Sequence, residues 1–175
     1  KNTRLLITFE ILWWLLTAVV AGGVLYPVWR EVPGYPFWVS NIIFIAVFFT
    51  FARWIFFTRH TFFAGKQRLK IFVIAVSVPV IFLLISELNF FQTSIDEERL
   101  ENVLSHLDGS RQEQLFSYIR NEMIFFGTGS IIAAIILPFK MAVSIWKKHN
   151  KGKIEKIPAQ IIAESGAISI FGLFN

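Results

Sequence analysis

The chain has 175 residues, room for one domain, and 55% of them are hydrophobic while only 17% are charged. Ordinary soluble domains carry about 25% charged residues to cover their water-facing surface. A domain this small has too little interior to hide 20 Phe and 6 Trp from water, which excludes a soluble globular enzyme and a disordered tail. The absence of Cys excludes disulfides, Cys-ligated zinc, iron–sulfur clusters and thiol catalysis together.

Four apolar runs reach the length of about 20 residues that a helix needs to cross the hydrocarbon layer. The first is Leu5 to Trp29, interrupted only by Glu10. It is far longer than the apolar region of about 7–15 residues in a cleaved signal peptide, so a retained span is expected. The second runs from Val39 to Thr58 with Arg53 near its end. The third runs from Ile71 to Phe91, with Pro79 inside and Glu87 near its end. The fourth runs from Met123 to Trp146 and carries Pro138 and Lys140 in its final third. A bilayer offers no water to unpaired backbone groups, so each run is expected to be a helix. The fold class expected is an all-α, four-helix membrane bundle over residues 1–149.

Between the first two spans, Arg30–Glu31–Val32–Pro33–Gly34–Tyr35–Pro36 reads as a tight turn that makes them antiparallel neighbours. The connection from Arg59 to Lys70 is also short, with Gly65 as its turn. Residues 92–122 have an organisation of their own. Ser94 followed by Glu97 reads as a capping box, and Leu100, Val103, Leu104 and Leu107 form one helical stripe. Asp108–Gly109 breaks that stripe. Ser110 with Glu113 reads as a second capping box, and Leu115, Phe116 and Ile119 continue into span four. The expectation is a helical hairpin: one helix over about 95–107, then a second running unbroken into the membrane. Residues 150–175 form a basic and then apolar tail, expected to be flexible or docked on a partner.

The charges set an orientation. Lys1 and Arg4, then Arg59, Lys66, Arg68 and Lys70, then Lys147, Lys148, Lys151, Lys153 and Lys156 all fall on one side. The hairpin on the other side holds Asp96, Glu97, Glu98, Glu101, Asp108, Glu113 and Glu122 against Arg99, Arg111 and Arg120. The positive-inside rule then places both termini in the cytoplasm, and a bacterial cytoplasmic membrane is the expected residence. The net charge of +5 is accounted for by topology and an anionic leaflet, not by nucleic acid. Trp29, Trp38, Tyr26 and Tyr35 at one interface and Trp54 and Trp146 at the other read as anchors. Trp13 and Trp14 sit deeper.

Charges inside spans are costly and must snorkel, pair or work. Glu10 and Arg53 lie at similar depth on adjacent helices, and Lys140 reaches the same layer, so these three form a candidate intramembrane cluster. The exposed acids Asp96, Glu97, Glu98, Glu101, Asp108 and Glu113 form a candidate interaction surface. Gly22–Gly23 and Gly127–Thr128–Gly129–Ser130 offer small faces where helix backbones can approach. No two of the three His stand at metal-ligand spacing, and no nucleotide-binding or serine-nucleophile motif occurs, so neither enzyme activity nor a cofactor is expected. The expected function is an accessory, assembly or interaction subunit, with the bilayer and other membrane subunits or further copies as partners. The alternative is a small transporter or oligomeric channel using Glu10, Arg53 and Lys140.

The orientation is directly testable. Single Cys residues introduced at Gly34 and Gly109 should react with an impermeant thiol reagent from outside, and those at Gly65 and Gly152 should not. Labelling of Gly65 from outside would overturn the charge argument.

Overall fold

The computed structural model describes residues 3–57 and 67–154. The expected turn at Gly65 and the tail beyond Ile154 lie outside them. The described residues form α1 (Thr3–Glu31), α2 (Trp38–Phe56), α3 (Gln67–Asp96), α4 (Arg99–Leu104) and α5 (Gly109–Ile154). All but α4 are long and apolar enough to cross a membrane. Over their spanning stretches these helices are hydrophobic nearly all round, as suits helices surrounded by apolar matter. Pro27, Pro79 and Pro138 each withhold one backbone N–H, from α1, α3 and α5 in turn.

Contacts set the helix directions. Glu10 meets Arg53 and Trp13 Nε1 donates to the Phe49 carbonyl at 3.3 Å, so α1 and α2 are antiparallel. Lys70 Nζ donates to Ser144 Oγ at 2.8 Å at one end of α3, making it antiparallel to α5. Asn41 pairs with Glu122 and Phe48 packs by Gly129, so α2 and α5 run parallel. The long α5 packs chiefly on α2 and α3, while α1 touches it only sparsely. Of the most apolar window of α1, 17% is buried, against 44% for α5, so α1 lies at the edge and α5 at the centre.

The core is built on glycines facing large side chains. A Cβ added at Gly129 would fall 2.8 Å from Phe48 Cε2, and one at Gly127 would fall 2.8 Å from Leu88 Cδ1. These two positions let the α2 and α3 side chains seat against the α5 backbone. Phe48 then meets Phe126 edge-on at 5.7 Å between centroids. The other glycine pair differs. A Cβ at Gly22 or Gly23 meets nothing within 4 Å, so the close approach expected there does not occur among the described residues.

The hairpin departs from its expected boundaries. Ser94 does not start a helix: it lies buried inside α3 and its Oγ donates to the Phe90 carbonyl at 2.9 Å. A serine hydroxyl can return to the i−4 carbonyl as readily as it can cap, so α3 continues to Asp96. The break falls at Glu98, whose φ of 56° is left-handed, and whose carbonyl accepts the Asn102 N–H to begin α4. That helix has six residues, in place of the longer one expected over 95–107. Its stripe nonetheless packs, with Leu100 and Leu104 fully buried. Ser110 is also not a cap, because α5 starts at Gly109 and the Asp108 carbonyl takes the Gln112 N–H at 2.8 Å. From there α5 runs unbroken for 46 residues.

Several contacts hold the turn after α4 and the start of α5 to the end of α1. His106 Nε2 lies 2.9 Å from the Glu31 carbonyl, Arg111 pairs with Glu31, and Tyr118 Oη donates to the Val24 carbonyl at 2.7 Å. The α1–α2 connection folds inward here. Gly34, with φ +82°, supplies a turn that side-chain-bearing residues rarely adopt, and Val32, Tyr35 and Phe37 are buried. Tyr35 is therefore part of the core and not the interfacial anchor expected from its position.

The glycine packing makes a contrast that stability measurements in detergent can check. Gly129→Ala should destabilise the bundle by about 1–3 kcal/mol, because the Phe48 ring must move. Gly22→Ala, which meets open space, should be neutral or slightly stabilising. Equal effects would show that Phe48 does not seat on Gly129.

Candidate functional site

Glu10 and Arg53 come together as expected from their depth. Arg53 Nη1 donates to Glu10 Oε2 at 2.7 Å and Arg53 Nη2 donates to Glu10 Oε1, a two-point fork between planar groups. The Arg53 side chain is 8% exposed and that of Glu10 35%, so the guanidinium faces the helices while the carboxylate lies towards the edge. Lys140 does not join them. It is exposed on α5 and makes no ion pair with any described residue. The cluster of three is thus a closed pair with a separate lysine.

Four hydroxyls in the spans are equally self-contained. Thr17 donates to the Trp13 carbonyl, Ser77 to Ile74, Thr128 to Ile124 and Ser130 to Gly127. Each returns to its own helix, the usual way a hydroxyl is satisfied where water is absent.

All six acids of the candidate surface, Asp96, Glu97, Glu98, Glu101, Asp108 and Glu113, are exposed around α4 and the first turns of α5. Glu97 pairs with Arg99 at 2.6 Å, an exposed contact of little energetic weight. Glu87 is exposed near the same end of the bundle and accepts a hydrogen bond from Ser40 Oγ at 2.7 Å.

The seventh acid behaves differently. Glu122 is buried, and Asn41 Nδ2 donates to its Oε1. Tyr35 Oη sits beside the Asn41 amide without a well-formed hydrogen bond. Burial pushes the Tyr35 hydroxyl well above its ordinary range, and the nearby Glu122 charge adds to the effect. By sequence position alone, Glu122 belongs to the solvated hairpin and Tyr35 to the interface. A signal was present in the spacing: Leu115, Ile119, Glu122 and Phe126 lie at i, i+4, i+7 and i+11, one continuous buried stripe.

Comparison with protein-family models, curated proteins and solved structures gives no match to this chain. Fold and composition therefore define its class: a multi-pass integral membrane protein whose described secondary structure is all helical, with four helices able to span among the described residues.

The ion pair can be tested by a double-mutant cycle in detergent melting. Glu10→Gln or Arg53→Gln alone should cost about 1–3 kcal/mol, less than a fully buried broken pair because Glu10 is partly exposed. The double variant should cost clearly less than the sum of the singles. Additive losses would show that the pair contributes no coupling.

Proposed function

We propose that this chain is an accessory or assembly subunit of a larger membrane complex, lying in a bacterial cytoplasmic membrane with both termini inside. The observation that carries the reading is the closed Glu10–Arg53 pair. A carrier or channel route needs polar groups left open along a path. Here Glu10 and Arg53 satisfy one another, Lys140 stands apart, and the hydroxyls of Thr17, Ser77, Thr128 and Ser130 bond back to their own helices. The transporter alternative would have to use Glu10 and Arg53 as a pair, with Lys140 apart from them.

The position of α1 supports the same reading. It lies at the edge of the bundle, and its Gly22–Gly23 face is open among exposed apolar residues such as Val19 and Leu15. A partner helix can approach such a face closely, since small residues let backbones meet. The orientation rests on the distribution of Lys and Arg between the two ends.

Purification from native membranes in mild detergent, with mass spectrometry of the bound proteins, tests the proposal. The expected result is one membrane protein recovered in stoichiometric amount, lost when Gly22 and Gly23 are both changed to Leu. It should persist in the Glu10→Gln, Arg53→Gln double variant. A chain that purifies alone and drives an ion or solute flux in vesicles, abolished by Glu10→Gln, would overturn it.

A further inference from the structure

Three buried side-chain oxygens at the α4 end of the bundle have no hydrogen-bond partner among the described residues: Tyr35 Oη, Asn41 Oδ1 and Glu122 Oε2. They come from three segments, namely the α1–α2 connection, the first turn of α2, and α5. Their residues are 3%, 0% and 8% exposed, so bulk water does not solvate them. The hydrogen bond from Asn41 Nδ2 to Glu122 Oε1 uses one of the two amide N–H groups and orients the amide, whose oxygen can only accept. Glu122 Oε2 is an acceptor too. Tyr35 has one proton for this group and two lone pairs of its own. Acceptors outnumber donors.

The charge is unbalanced in the same direction. No described Lys, Arg or His forms an ion pair with Glu122. Arg111 is committed to Glu31 and Arg99 to Glu97. Tyr118, one turn earlier on α5, gives its proton to the Val24 carbonyl. A lone carboxylate in an apolar setting is costly unless a positive charge joins it.

We propose that Tyr35, Asn41 and Glu122 form a binding site for one small monovalent metal cation. Three oxygen donors of this kind suit a hard cation. One carboxylate cancels a single positive charge, whereas a divalent ion would leave net charge in a poorly hydrated place. A bound water would satisfy the acceptors and leave the carboxylate charge uncompensated. The site does not depend on the assembly role, since it lies in the bundle interior away from the open α1 face.

Thermal unfolding of the full chain in detergent tests this, with sodium chloride titrated against choline chloride at constant ionic strength. The melting temperature should rise by about 3–6 °C once sodium reaches about ten times its Kd. Tyr35→Phe keeps the ring and removes one oxygen, and should move the midpoint to about tenfold more sodium. Glu122→Gln should abolish the response. Should Glu122→Gln fail to fold, the Tyr35→Phe midpoint decides alone. Equal melting in sodium and choline, or the same sodium response in wild type and Tyr35→Phe, overturns the proposal. Stabilisation by acidification with no sodium response also overturns it and makes a proton the occupant.

Discussion

In an apolar layer a polar group has no water to fall back on, so it must find its partner inside the protein. Much of this bundle obeys that constraint. The Arg53 guanidinium turns inward and meets Glu10 across the α1–α2 interface. Trp13 finds the Phe49 carbonyl on the same pair of helices. Together these contacts fasten α1, which otherwise packs lightly, to the side of the bundle. Lys70, buried at the start of α3, reaches Ser144 in the same manner.

Polar contacts fix which helices meet, and shape fixes how closely. The apolar surfaces of the spans are chemically alike, so the lipid competes with every one of them as a solvent. What distinguishes the α2–α5 and α3–α5 interfaces is the fit of Phe48 and Leu88 over backbone that carries no Cβ. The Gly22–Gly23 face on α1 has the same character without an occupant among the described residues, and this links packing to the proposed role in assembly.

The two ends of the bundle differ in kind. At the α4 end, the α1–α2 connection, the short α4 and the first turns of α5 close over Tyr35, Asn41 and Glu122. The unpartnered oxygens of these three have no counterpart in the middle of the bundle among the described residues. Exposed acids surround this end and Glu122 lies beneath them. Its burial is a consequence of α5 being one continuous helix: the rotation that points Leu115 and Ile119 inward carries Glu122 with them.

By itself the sequence determined the number of long helices, their chain order and the partnership of two intramembrane charges. Those features arise from the length of apolar runs and from the cost of an unpaired charge, both of which act locally along the chain. Only the tertiary structure decided where α3 ends, because the Ser94 hydroxyl has two satisfactory partners, a cap N–H and the Phe90 carbonyl, and packing selects between them. The tertiary structure also set Lys140 apart from Arg53, and it buried Glu122 away from its exposed acidic neighbours, where the sequence offered only a helical spacing. Depth along a helix can be counted from the sequence. The azimuth of a side chain, and whether a second helix stands there to receive it, depends on how the helices pack.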